Sequence, residues 1–195
     1  PYPVQLPAPI PYPSAFGYGY VVTGPGASTV SRIDYSNDTA TGVSKGPDDT
    51  SGNKSSTSSE THGYLCGGYS PNIATTIKRI DYANDTAAST PKGNLTSEAL
   101  LAMSGQGTHT PSYGWIMTTY PGGKVDRIDF ANDTATASQR QTGGDSSIRT
   151  GTTGNQSYAW KTGGSPNKTH TFRLDYSSDS TALSPKGNMD SPIDW

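Results

Sequence analysis

Seven of the nine asparagines stand in Asn-x-Ser/Thr: Asn37, Asn53, Asn84, Asn94, Asn132, Asn155 and Asn167. In a secreted chain these are acceptors for N-linked glycan. Asn37, Asn84 and Asn132 also belong to Asn-Asp-Thr, a sequence that makes turns whether or not sugar is present; the other four sites lack that second explanation. The next groups with chemical potential are four aspartates, Asp34, Asp81, Asp129 and Asp175, each two residues after an arginine: Arg32, Arg79, Arg127 and Arg173. They could line a channel or hold a cation, but equal use in every copy of a motif is the mark of scaffolding, and a structural Arg/Asp network or turn bond is the expectation. Nothing else reads as catalysis. His62, His109 and His170 fall in Gly/Ser/Thr-rich stretches without metal-ligand spacing. The one cysteine, Cys66, sits in an apolar run beside Gly67 and reads as a buried structural thiol. No nucleophile elbow or phosphate loop occurs. Tyr69, Trp115, Tyr120 and Trp160 could stack on sugar rings, although aromatics at repeated positions more often pack. The expectation is a protein that is not an enzyme and needs no metal or cofactor.

What positions these residues is a repeat. Thr29-Val-Ser-Arg-Ile-Asp-Tyr-Ser-Asn-Asp-Thr-Ala40 returns from Thr76 to Ala87, from Lys124 to Ala135 and, more loosely, from Thr171 to Ala182. The arginines are 47, 48 and 46 residues apart, so the chain holds four units. Each opens on an aromatic-led run (Tyr20–Gly24, Tyr64–Gly68, Trp115–Thr119, Trp160–Gly164), followed by a variable Gly/Pro/Ser loop. Then comes the shared segment, with strand-like alternation through Arg and Ile, and the Asn-Asp turn. A short strand runs to Pro-Lys-Gly at 91–93 and 185–187, or Ser44-Lys-Gly46, read as a second turn, and a weaker strand such as Ala99–Met103 closes the unit.

Composition agrees. Leu, Ile, Val and Phe number 25 of 195 residues, too few for an ordinary core, while Ser and Thr supply 51, Gly 23, Pro 15 and Tyr 12. Such a chain makes short strands and many turns, not long helices. A net charge of −2 argues against nucleic acid as a partner. The longest apolar run, Ala99 to Met103, is far too short to span a bilayer. The tract Asp48 to Thr61 is dense in Ser and Thr and reads as a loop or an O-glycan carrier.

About four strands in some 47 residues is the size of a propeller blade. The paired glycines Gly67-Gly68 and Gly163-Gly164, the variable loop, the Arg-x-Asp-Tyr strand and the Asn-Asp-Thr turn resemble the kelch repeat over residues 17–195. Alanine (Ala40, Ala87, Ala135, Ala182) stands where kelch repeats place an aromatic, and four units are fewer than kelch propellers usually carry. The array is also similar to Arg-Ile-Asp-Tyr-x-Asn-Asp-Thr-Ala repeats of phage-type tail and environmental extracellular structural proteins. The resemblance implies an all-β, four-bladed kelch-like β-propeller in a structural or adhesive setting.

Ahead of it, residues 1–16 form a separate proline-rich segment. Tyr2, Val4, Leu6, Ala8, Ile10 and Tyr12 occupy every even position to 12, and every odd position to 13 is Pro except Gln5. In an extended strand the six apolar side chains share one face, and the prolines strip N–H donors from a single edge. Such a segment can join a sheet only as its outermost strand; the bland alternative is a polyproline linker. Unit four ends eight residues past Gly187, so it lacks its last strand, and the proline strand is expected to complete that blade, within the chain or in a neighbour. The first residue is Pro1, which fits a removed leader. The resulting expectation is an extracellular, cell- or virion-surface glycoprotein that polymerises head to tail by strand donation. A monomeric adhesion propeller recognising glycan or protein is the alternative, and a propeller glycoside hydrolase a more distant one.

Overall fold

The structure, a computed structural model, describes residues 17–22, 29–48, 52, 54–68, 72, 74–96, 108–117, 123–141 and 150–192. It is all-β. Four antiparallel sheets follow one another along the chain. The first contains β1 (Tyr18–Val22), β2 (Thr29–Asp34) and β3 (Val43–Pro47). The second is β4 (Ser55–Ser58), β5 (His62–Cys66), β6 (Thr76–Asp81) and β7 (Thr90–Asn94). The third is β8 (Thr108–His109), β9 (Tyr113–Met117), β10 (Val125–Asp129) and β11 (Ser138–Gln141). The fourth is β12 (Gly151–Gly154), β13 (Tyr158–Thr162), β14 (Thr171–Asp175) and β15 (Ser184–Pro185). Among the described residues, no helix is long and apolar enough to cross a membrane.

The repeat sets the register. In every sheet the leading aromatic lies directly opposite the arginine of the next strand: Tyr20 and Arg32, Tyr64 and Arg79, Trp115 and Arg127, Trp160 and Arg173. Opposed residues point to the same face, so each sheet presents an aromatic–arginine pair side by side. The core lies between the sheets. Val30, Leu65 and Ile80 close the gap from the first sheet to the second; Tyr64, Cys66, Ile77, Ile116 and Ile128 fill the next; Trp115, Met117, Val125, Ala159 and Leu174 fill the last. The inner strands β5 and β9 are therefore buried on both faces, whereas β1 and β13 are only partly so.

Three expectations need correction. Pro-Lys-Gly is not a turn: Pro91, Lys92 and Gly93 lie within β7, and Ser44, Lys45 and Gly46 within β3. Both are edge strands, where a proline costs no ladder bond, and a register shift at this point bulges each strand against its neighbour. The Ser/Thr tract is not simply loop, because Ser55–Ser58 forms β4, with Ser55 and Thr57 buried. The strand missing from the end of unit four shows up instead at the first sheet. The strand before each aromatic run pairs with that run, as β4 does with β5, β8 with β9 and β12 with β13. Sheet boundaries are thus displaced by one strand from the sequence repeat. Among the described residues, the fourth sheet has four strands and the first three, with β1 at its edge. Ala99–Met103 lies outside the described residues.

The sheets bring backbone against backbone at two of the described glycines. A Cβ on Gly46 would collide with the backbone carbonyl of Ala87, and one on Gly93 with that of Ala135. In the fourth sheet the equivalent Gly187 has nothing within 4 Å of that position. Gly46→Ala and Gly93→Ala should each lower stability by about 1–3 kcal/mol in denaturant unfolding, since backbone must move to admit the methyl group. Gly187→Ala should leave the isolated chain unchanged.

Candidate assembly site at the ends of the array

At each internal junction the aspartate of the repeated turn, Asn-Asp at Asp85 and Asp133 and Ser-Asp at Asp179, enters the preceding sheet. Asp85 accepts from the Tyr20 hydroxyl at 2.9 Å and Arg32 at 2.8 Å, with Lys45 Nζ at 3.3 Å. Asp133 accepts from Tyr64 at 3.2 Å and Arg79 at 2.8 Å, with Lys92 at 3.7 Å. Asp179 accepts from the Trp115 indole N–H at 2.8 Å, Arg127 at 3.1 Å and Arg140 at 2.8 Å. An aromatic donor, an arginine and a second cation from one sheet thus converge on one carboxylate of the next. The bulge in β3, β7 and β11 puts the second cation there. The three aspartates are only 7%, 7% and 3% exposed.

The same turn adds a ring. Tyr82 stacks on Tyr20 at 4.7 Å between centroids, Phe130 on Tyr64 at 4.9 Å and Tyr176 on Trp115 at 4.2 Å. Backbone bonds lock the contact: Gly46 N–H donates to the Asp85 carbonyl and Gly93 N–H to that of Asp133. In the third sheet Gln141 replaces the glycine, and its side-chain amide donates to the Asp179 carbonyl instead. Two of the three junction arginines also lie over a ring. Arg32 lies 4.2 Å over the Tyr18 ring and Arg127 4.4 Å over that of Tyr113.

Burial pushes the Asp85 carboxyl up, and the bonds from Tyr20 and Lys45 with the Arg32 and Lys45 charges outweigh it, so it titrates below the ordinary carboxylate range. Tyr64 moves the other way, raised by burial and then by the Asp133 charge. Both shifts favour the same protonation pattern at a junction, a carboxylate facing a neutral phenol.

The repeated aspartates that follow the arginines have a different task. Asp34, Asp81, Asp129 and Asp175 each accept the backbone N–H two residues on, capping the turn that carries the junction aspartate. Asp34 is held below its ordinary value by the bonds from Ser36. The partner of Arg32, Arg79 and Arg127 is therefore not the aspartate beside each in sequence but one about 53 residues later. The Asn-Asp pair, read as turn chemistry alone, contains that residue; its recurrence as Asp38, Asp85, Asp133 and Asp179 was the available signal.

Four arginines and four turn aspartates allow only three internal junctions. At one end, Asp38 is exposed, as is Tyr35 at 60%. At the other, Trp160, Arg173 and Lys186 meet no carboxylate among the described residues. Arg173 still lies 4.2 Å over the Tyr158 ring, and its buried Nε has no hydrogen-bond partner. Among the described residues, no junction of this kind joins the first sheet to the fourth. A second opening runs along β1, a groove of about 510 Å³ between the first two sheets, lined by Tyr18, Val22, Tyr35, Ser56, Ser58 and Tyr82 among others.

The other sequence candidates stay apart. His62 lies in β5, His109 in β8 and His170 before β14. Cys66 is fully buried, and burial pushes its thiol up, away from the thiolate a nucleophile needs. Asn37, Asn84, Asn94, Asn132, Asn155 and Asn167 are exposed. Asn53 and the proline segment with Tyr2, Val4, Leu6, Ala8, Ile10 and Tyr12 lie outside the described residues, as do Tyr69 and Tyr120.

Two outcomes follow from the junction geometry. Asp133→Ala leaves Arg79, Lys92 and the Tyr64 hydroxyl without their acceptor, and should cost about 3 kcal/mol in denaturant unfolding. Asp38→Ala should cost the isolated chain less than about 0.5 kcal/mol. Because the Asp85 carboxyl is depressed, its contribution is fully present above its unfolded value, about pH 4. That contribution falls away as pH drops through the folded value. Asp85→Asn should remove this acid-dependent part of the stability profile, read by fluorescence between about pH 2 and 6.

No family model matches the chain, and no curated protein matches it. Among solved structures it is similar to hydrazine synthase from Kuenenia stuttgartiensis, with a TM-score of 0.57 and 10% sequence identity over 87% of this chain. The match spans 46% of that chain, less than half its length. At this identity the likeness concerns the fold.

Proposed function

We propose that the chain is the structural protomer of an extracellular, glycosylated filament or appendage, built as an arc of kelch-like propeller blades. The observation that carries this reading is the first sheet, three-stranded among the described residues, with an open groove along β1; the alternating proline and apolar residues of 1–13 suit a segment that can add only at a sheet edge.

The position of the prolines favours a strand given to a neighbour over one folded back. In the second sheet Ser59 N–H donates to the His62 carbonyl, so by alternation the donors of Thr57 and Ser55 also face β5. Tyr20 corresponds to Tyr64, an offset of 44 residues, which puts Pro13 and Pro11 at those two positions. A hairpin in the same register would therefore lose both donors. The intact N–H groups lie at even positions, on the other edge. Presented by a second molecule, those donors can reach β1, with the apolar row of Tyr2, Val4, Leu6, Ala8, Ile10 and Tyr12 on one face. Addition at a sheet edge with blocked outer donors ends in one strand, not in open aggregation.

The glycan part of the proposal rests on six exposed acceptor asparagines. Asn84 and Asn132 are exposed although the aspartate after each is buried, so sugar there leaves the junctions intact. The poor aliphatic content fits a sugar-coated surface.

Electron microscopy of the native protein should show fibres with a regular axial repeat, and deletion of residues 1–13 should remove the strand contact. A synthetic peptide of residues 1–13 should then bind the shortened chain saturably and raise its melting temperature. A peptide that neither binds nor stabilises would refute strand addition. Intact mass should exceed 20.4 kDa and fall on chemical deglycosylation; a bare 20.4 kDa chain would refute the glycan.

A further inference from the structure

The two ends of the array carry the two halves of the junction used three times inside it. We propose that they join between molecules: the Tyr35–Ala40 turn of one copy seats on the fourth sheet of a second copy. This contact deepens the homopolymer reading above but does not use the proline strand.

Its chemistry can be read residue by residue from the filled junctions. Asp38 would accept from the Trp160 indole, as Asp179 does from Trp115, and from Arg173, as Asp85 does from Arg32. Lys186 follows Pro185 as Lys92 follows Pro91, and supplies the second cation. Tyr35 would stack on Trp160 as Tyr176 does on Trp115. Gly187 leaves room for the Ala40 carbonyl, as Gly93 does for that of Ala135. No element of the interface is missing from either side, and the charges are complementary.

The fourth-sheet half is already shaped for its partner. Arg173 lies 4.2 Å over the Tyr158 ring, the separation seen for Arg32 over Tyr18 in a filled junction. A second copy is the occupant favoured over ring closure within one chain. In one and the same molecule, Tyr35 is 60% exposed and Asp38 is exposed while the fourth-sheet half has no junction aspartate seated on it. The contact is heterologous, so it continues as a filament or closes as a ring. A ring of two copies would contain eight sheets, within the range of known propellers.

The test uses the full chain and two variants, Asp38→Ala and Gly187→Ala, which alter opposite halves of the contact. Each should keep the wild-type melting temperature of the isolated chain and weaken self-association by at least about 100-fold in sedimentation velocity. Mixed together they should form a 1:1 pair and stop, because one variant retains a sound turn and the other a sound fourth sheet. Variants that assemble like the wild type would overturn the proposal. So would a monomeric wild type in which Gly187→Ala lowers the melting temperature, because that places the junction within one chain. Deleting residues 1–13 separates this contact from strand donation. If the deletion abolishes assembly and the two variants do not, strand donation stands and the junction contact falls. If the variants abolish assembly and the deletion does not, the junction contact stands and strand donation falls.

Discussion

One buried carboxylate per junction governs the rest of this structure. Burying an aspartate between sheets is costly unless its oxygens are fully engaged. Each junction aspartate engages them with an aromatic donor, an arginine and a second cation. Those three donors come from three successive strands of one sheet, while the carboxylate comes from a turn of the next. The network therefore fixes how adjacent sheets face each other, not merely that they touch. A buried ion pair is weak evidence of net stabilisation, and the reading that suits it here is registry. With few aliphatic residues the inter-sheet core is thin, and apolar contact alone would tolerate several orientations.

The local sequence makes sense against that requirement. The aspartate after each arginine caps the turn, so the junction aspartate arrives at a fixed distance from the strand. The bulge before Gly46 and Gly93 delivers the lysine, and the glycine lets the neighbouring backbone come close enough to exchange a hydrogen bond. In the third sheet Arg140 and Gln141 replace Lys and Gly. The positive charge is kept, and the lost backbone bond returns as a bond from the Gln141 amide. The constraint is thus on the carboxylate's surroundings and not on residue identity.

The repeat and its strand content were legible in the sequence because they are local, and the aromatic run and arginine strand that pair lie only about a dozen residues apart. What was not legible depended on contacts between units. Arg32 has Asp34 two residues away and Asp85 53 residues away, and only the distant one binds its guanidinium in the junction. Pro-Lys-Gly has the composition of a turn and becomes an edge strand because a neighbouring sheet packs against its glycine. The assignment of strands to sheets moved by one for a similar reason. The strand that ends a repeat in sequence shares its hydrogen bonds with the unit that follows.

Solenoid-like arrays in which each unit touches only its neighbours normally end in units whose outer faces have become polar caps. Here the end units are not altered in that way. The first keeps the stacking tyrosine and the aspartate of its turn, and the last keeps the aromatic, arginine, lysine and close-approach glycine of its face. Substitution at either end would cost nothing in a chain that works alone, because neither half meets its partner there. An exposed tyrosine and an arginine with a buried, unpaired nitrogen are liabilities in an isolated molecule. Stacked on Trp160 as Tyr176 is on Trp115, the tyrosine would cease to be one. The turn of the first sheet and the face of the fourth therefore keep the residue types of the filled junctions, although neither meets its counterpart among the described residues.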